Sequence, residues 1–183
     1  MIVDVPETLI VPAIRADLVE LGAGPAFGSR VLPHVQELNQ THVALQDVNE
    51  RLAMDIFMFD WWIRNADRTL TIHGGNPNLL FDYEMRKLVV IDHNQAFDDD
   101  FNVEAFFDLH VFADIGRRLF DDPLEQSRYC EQFARVLACF DDACDNVPAA
   151  WWWFDEGVPT DFDLPKAKAL LMQYTQESFW RKP

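Results

Sequence analysis

Residues 47–68 read Asp47-Val-Asn-Glu50-Arg-Leu-Ala-Met-Asp55-Ile-Phe-Met-Phe59-Asp60-Trp-Trp-Ile63-Arg-Asn65-Ala-Asp67-Arg68, and this stretch decides the fold class. Asp47 and Glu50 have the form of a capping box, an oxygen-bearing N-cap with Glu three residues on, so a helix is expected to start there. Val48, Leu52, Ile56, Phe59 and Ile63 recur at helical spacing. Phe57, Trp61 and Trp62 widen the apolar arc until the helix is apolar on most sides, as a central buried helix is. Asp55 and Asp60 lie on it. A carboxylate near buried surface needs a partner, and a tie to a neighbouring backbone amide is expected for them.

After this helix come a loop through Gly74-Gly75-Asn76-Pro77 and two β-type runs, Asn78–Asp82 and Leu88–Asp92, joined by the short polar Tyr83–Lys87. These predict a hairpin. Pairing about Met85 sets Asn78 opposite Asp92, and a one-residue slip still leaves both at the open end. Asp67 closes the loop that enters that end, so two carboxylates and an amide oxygen converge on one small volume. Such oxygen-only ligands suit Mg²⁺ together with substrate phosphates.

Upstream, residues 1–12 read as strand or extended chain and 13–46 as loop-rich, with a glycine-bearing loop over 21–30 that has no lysine near it in sequence. Downstream, Phe101–Phe120 predicts one or two helices and Pro123 to about Asp142 another. Asp163 is placed to cap a last helix through Tyr174. The expectation is one domain over 1–183, mainly α with a small β-hairpin and therefore α+β, its helical part spanning 47–183 around the 78–92 metal-site hairpin.

Composition sets limits. With 15 Lys+Arg against 31 Asp+Glu the formal charge is −16, which excludes nucleic-acid or anionic-membrane binding driven by net charge. At 49% hydrophobic the chain is too apolar for a disordered acidic tail. Cys130, Cys139 and Cys144 form no disulfide or zinc pattern and are expected as reduced core thiols. Core packing is likewise expected for at least two of Trp151, Trp152 and Trp153. No signal peptide or membrane span is read at either end or within, which points to the cytoplasm.

The ordered blocks Phe59–Arg68, Asn76-Pro-Asn78-Leu-Leu80 and Val90-Ile-Asp92-His93-Asn-Gln-Ala-Phe97 resemble the HipA-like kinase domain, a protein-kinase-like fold. Ala26–Arg30, Val147–Trp151 and Phe179-Trp180 are similar to other stretches of it. The resemblance implies that Asp67 is the catalytic-loop aspartate, that Asn78 and Asp92 hold Mg²⁺, and that ATP is the phosphoryl donor. Arg68 then either steers a phosphate or pairs with a local carboxylate, with pairing preferred, and His93 stands where a typical kinase has the residue after its metal aspartate.

The resemblance also implies that this chain corresponds to the C-lobe. Residues 1–12 match the hinge strand, and the N-lobe with its glycine-rich loop and phosphate-binding lysine is not among these residues. The lysines are Lys87, Lys166, Lys168 and Lys182, none of them in such a strand. The expected activity is Mg²⁺-dependent transfer from ATP to a protein or other hydroxyl acceptor, weak or absent without an N-lobe-supplying or regulatory protein partner, or a second copy in a homo-oligomer. The alternatives are a non-catalytic pseudokinase interaction module, and a metal hydrolase built on Asp92-His93, His73 and Asp98-Asp-Asp100.

Overall fold

In the computed structural model, which describes residues 1–10, 22–38 and 48–183, helix α1 (Glu50–Ile63) is the element around which the larger part of the chain packs. Asn49 caps it, its side chain accepting the Arg51 N–H at 2.8 Å. Glu50 is thus the first helical residue and Asn49 its N-cap; Asp47, predicted as the N-cap of a box with Glu50, lies outside the described residues. Asn satisfies an orphan N–H as well as Asp does, and being closer to the apolar run it sets the start.

The described chain divides into two compact units, residues 1–33 with 142–162 and residues 34–141 with 163–183. In the first, β1 (Ile2–Val5) pairs antiparallel with β2 (Gly24–Phe27), Ile2 opposite Phe27, so the stretch read as loop-rich contains a strand. Beyond β1 the backbone turns through a 3-10 segment, Glu7–Leu9. A 3-10 turn over Ala149–Trp152 leads into β6 (Trp153–Asp155) and β7 (Val158–Pro159). None of the three neighbouring tryptophans is a buried core residue. Trp151 and Trp152 are half-buried, with Trp151 donating to Pro25 O at 2.6 Å, and Trp153 is exposed.

In the second unit β3 (Val35–Glu37), β4 (Leu79–Asp82) and β5 (Lys87–Val90) form an antiparallel sheet in sequence order. Leu79 faces Val90 and Asp82 faces Lys87, one residue off the register centred on Met85. The turn is responsible: Asp82 Oδ1 accepts the N–H groups of Glu84 and Met85, closing the loop tightly at its β4 side. The remainder of that unit is helical, with α2 (Val103–Leu109), α3 (Ala113–Gly116), α4 (Pro123–Leu137) and α6 (Leu164–Leu171), while α5 (Phe140–Asp145) starts in it and continues as the first residues of 142–162. The architecture is α+β, with a largely helical second unit.

The core is aromatic. Phe57 and Trp61 pack against Phe106, Phe107 and Phe120 with ring centroids 5.0–6.4 Å apart, and Trp62 stacks on Phe133 at 4.3 Å. Both indole N–H groups are satisfied, Trp61 by Phe179 O and Trp62 by Leu171 O. Leu52 and Phe59, expected on the buried stripe, are instead exposed, because the face that turns inward carries Ala53, Ile56, Phe57, Asp60 and Trp61. The cysteines are free as expected, but Cys139 is exposed and the other two only half-buried.

At α3, Gly116 lies flat against the Phe57 ring, and a Cβ there would fall 2.3 Å from ring carbons. Ala is intrinsically better than Gly in a helix by about 1 kcal/mol, yet overpacking a rigid ring costs about 1–3 kcal/mol. Gly116→Ala is therefore expected to lower the urea unfolding midpoint rather than raise it.

Candidate functional site

Helix α1 ends in a Schellman motif: Asn65 N–H bonds Asp60 O at 2.9 Å and Arg64 N–H bonds Trp61 O at 3.4 Å. Arg64 occupies the left-handed position, φ 55°, where glycine is usual. The chain that emerges is Asn65-Ala66-Asp67-Arg68. Its Arg68 side chain runs back under the helix and is fully buried.

That guanidinium joins three segments. Nε donates to Asp60 Oδ2 at 2.6 Å and Nη2 to Oδ1 at 3.4 Å, tying the loop to α1. Nη1 donates to Asn78 O at 2.6 Å, with Pro77 O and Ile91 O at 3.2 and 3.3 Å, which ties it to both strands at the open end of the hairpin. Nη2 also meets His93 Nε2 at 3.1 Å. Since the guanidinium only donates, His93 Nε2 must accept, and its proton belongs on Nδ1. Burial and the charge of Arg68 both hold the His93 pKa below its ordinary value.

Asp60 is equally buried and is tied to side chains, not to the backbone amide expected from the sequence. Beside Arg68, it accepts from Asn65 Nδ2 at 2.9 Å and meets His110 Nε2 at 3.1 Å. His110 Nδ1 accepts the Phe112 N–H at 3.1 Å, so the ring proton sits on Nε2 and points at Asp60. Burial opposes ionisation of Asp60, but the hydrogen bonds from His110 and Arg68 outweigh it and hold the carboxyl below the usual range. Burial keeps His110 neutral, its pKa lowered although Asp60 pulls it upward.

The residues singled out for chemistry lie on this frame. Asn78 Nδ2 donates to Asp67 Oδ2 at 2.8 Å, and Asn76 Nδ2 reaches the same oxygen at 3.4 Å. That leaves Asp67 Oδ1 and Asn78 Oδ1 for other partners. Asn78 and Asp92 both have left-handed backbones, φ 47° and 52°, and the intervening pair closes through Ile91 N–H to Asn78 O at 3.1 Å. Asp92 Oδ1 accepts the Asn94 N–H, a local turn that leaves its second oxygen for other partners. Thus the structure joins Asp67 to Asn78 directly, places Asp92 next to Asn78 through the backbone, and joins Arg68 to His93.

Among the described residues no three His, Cys, Asp or Glu side chains are grouped to hold a metal ion, which leaves the hydrolase reading without its cluster. The two carboxylates and one amide suit Mg²⁺ only as a partial set completed by water and phosphate oxygens, which is how that ion is commonly held.

The HipA-like kinase family model matches residues 1–183, the whole chain. The chain belongs to that family. Neither curated proteins nor solved structures returned a match. In this HipA-like kinase domain the family blocks are the segments that Arg68 ties together, so the loop, the β4 entry and the β5 exit hold one geometry. His110 was not legible: it has no motif and lies fifty residues from Asp60 in sequence. Among the described residues no helix is long and apolar enough to cross a membrane.

Two expectations follow. Arg68→Met leaves Asp60 buried without its cation, and removing one partner of such a pair costs about 3–5 kcal/mol; urea unfolding will report a loss of that size. Separately, because His110 is held below its ordinary pKa of 6.5, the unfolded chain binds the proton first as pH falls. Stability is complete above that pH and declines below about pH 6.5, with a slope approaching about 1.4 kcal/mol per pH unit from this residue. In His110→Gln the decline between pH 6.5 and 5 will be shallower when unfolding midpoints are compared.

Proposed function

We propose that this domain binds Mg²⁺ and ATP at the open end of the 78–92 hairpin and transfers the γ-phosphoryl group to a hydroxyl acceptor. The observation that carries this reading is the Asp67–Asn78 contact at 2.8 Å, held where Arg68 fixes the Asn78 and Ile91 carbonyls beside Asp92. In this reading Asp67 orients the acceptor and takes its proton through Oδ1, while the acceptor oxygen bonds the γ-phosphorus and the bridging oxygen leaves with ADP. Asn78 Oδ1 and the second oxygen of Asp92 would hold the ion, which when bound would supply charge neutralisation for the phosphoryl group.

The same reading assigns the nucleotide's cover and its second cation to a partner, an N-lobe-supplying or regulatory protein or a second copy of the chain. Three of the four lysines are engaged by surface carboxylates, Lys166 by Asp99, Lys168 by Asp141 and Lys182 by Asp121. Lys87 lies across the turn from Asp82, away from the open end. A pseudokinase interaction module is the second reading, favoured by the exposed Phe27, Trp153 and Phe154 in the first unit, since aromatic residues are common interface anchors.

Calorimetric titration of ATP with Mg²⁺ separates these readings. Wild type and Asp67→Asn are expected to bind, Asp92→Asn to lose the heat, and phosphoryl transfer to require Asp67 and to rise when the partner is added. Equal heats for wild type and Asp92→Asn would overturn the metal assignment and leave the interaction module.

A further inference from the structure

The loop that carries Asp67 and Arg68 has a further attachment besides α1 and the hairpin. Residues 109–111, between α2 and α3, pair with it antiparallel about Thr69 and His110: Leu70 N–H donates to Leu109 O and Val111 N–H to Arg68 O, each at 3.0 Å. On its other side Thr69 N–H donates to Asn76 O at 3.0 Å, which joins the same loop to the hairpin entry. At the centre of the pairing the His110 ring is buried against Asp60. His110 therefore engages the frame twice, through its backbone neighbours on the loop and through its ring on the carboxylate that holds Arg68.

Both ring nitrogens are committed. Nε2 donates to Asp60 Oδ2 and Nδ1 accepts the Phe112 N–H, each at 3.1 Å. A second proton can enter only at Nδ1, where it meets a donor, and a ring with two N–H groups has no acceptor to offer Phe112. The charge is equally badly placed. Asp60 and Arg68 already form a neutral pair, and the ring otherwise meets Phe57, Phe106 and Phe112. Among the described residues the charged groups that face His110 are Asp60 from α1 and Arg68 from the loop. Glu104 and Asp108 of α2 and Asp114 of α3 are exposed, with Asp108 paired to Arg117, and His93 bonds Arg68 rather than this ring. No spare carboxylate receives a protonated ring in this seat, so the ring must leave it, and the 109–111 segment with it.

We propose that His110 is a positioning residue for Asp67: its neutral ring clasps the loop that carries Asp67 and Arg68, and a proton on Nδ1 opens that clasp while the rest of the unit stays folded. Opening parts Leu70 and Val111 from their partners and loosens the Thr69 bond to Asn76, so Asp67 loses its fixed place beside Asn78. The consequence for phosphoryl transfer rests on the reading above, in which Asp67 takes the acceptor's proton; the clasp itself does not.

Amide hydrogen exchange followed by NMR on the whole chain, without nucleotide or metal, tests the clasp apart from that reading. The open form binds the proton near the ordinary histidine pKa of 6.5 and the closed form below it, so acid favours opening. Protection factors of Thr69, Leu70, Val111 and Phe112, corrected for intrinsic exchange, are expected to fall about tenfold between about pH 7.5 and 5.5. At each pH they should lie at least tenfold below those of the most protected α1 amides, as a local opening requires. In His110→Gln, whose amide can donate to Asp60 and accept from Phe112 without titrating, the same four amides should keep constant protection. Constant protection in wild type overturns the proposal. So does a fall at Phe112 alone, because the loop would not then follow the ring, or protection equal to that of α1, because the opening would then be global. An equal fall in folded His110→Gln overturns it as well, and the wild-type outcomes decide without the variant.

Discussion

The Arg68–Asp60 pair is the contact on which the other parts of the second unit depend. Burying two charges costs several kcal/mol each unless every donor and acceptor is used. Here the accounting is nearly full. Arg68 directs Nε at Asp60, Nη1 at the carbonyls of residues 77, 78 and 91, and Nη2 at Asp60 and His93. Asp60 receives Arg68, Asn65 and His110 on its two oxygens. The only buried side-chain polar atom without a partner among the described residues is Asn65 Oδ1. A saturated pair of this kind has one geometry, which is why it can set how the loop meets the open end of a hairpin that Leu79 and Phe81 already anchor in the core.

The frame also accounts for three of the six left-handed non-glycine residues among those described, the others being His34, Arg86 and Phe97. Arg64, Asn78 and Asp92 take left-handed φ, and each stands where chain enters or leaves the segments held by Arg68. Asn and Asp accept that conformation more readily than other non-glycine residues. Their side chains are then free of the strand's alternation, and at the hairpin's open end the amide and the carboxylate are presented by turns, not by the pleat. Turns in this position are costly in isolation and stable only because Arg68 bonds the Asn78 carbonyl while the Ile91 N–H bonds it from the other side.

Much of this was legible in the sequence, and the misses have a common cause. Helical spacing located α1, turn composition located the hairpin, and Asp163 was readable as a cap because capping is local. Register was off by one since the Asp82 side chain, rather than the run of polar residues, sets the turn. Arg68 as a partner of a carboxylate was readable; the identity of the carboxylate was not. Nor was His110, because a hydrogen bond across fifty residues leaves no spacing to detect. The tryptophans over 151–153 failed for a related reason: aromatic content signals burial only on average, and what buries a ring is tertiary packing.

Charge is divided unevenly between the interior and the surface. Among the described residues Arg68 is the one fully buried cation, placed under α1 where its planar fork bonds several oxygens at once, while Arg51, Arg117, Arg118 and Arg181 pair with carboxylates at the surface. The ammonium groups of Lys166, Lys168 and Lys182 stay outside on carboxylates, an arrangement that is worth little energetically and is screened by salt. Since these lysines are committed to the acidic surface, none is held in reserve for an incoming phosphate. An anion approaching the hairpin meets carboxylates first, and a divalent cation is the group that can reverse that local sign without rebuilding the surface. In the proposed reading, the acidity at Asp67 and Asp92 that would repel a bare nucleotide is, on the same side chains, what would favour a metal-bound one.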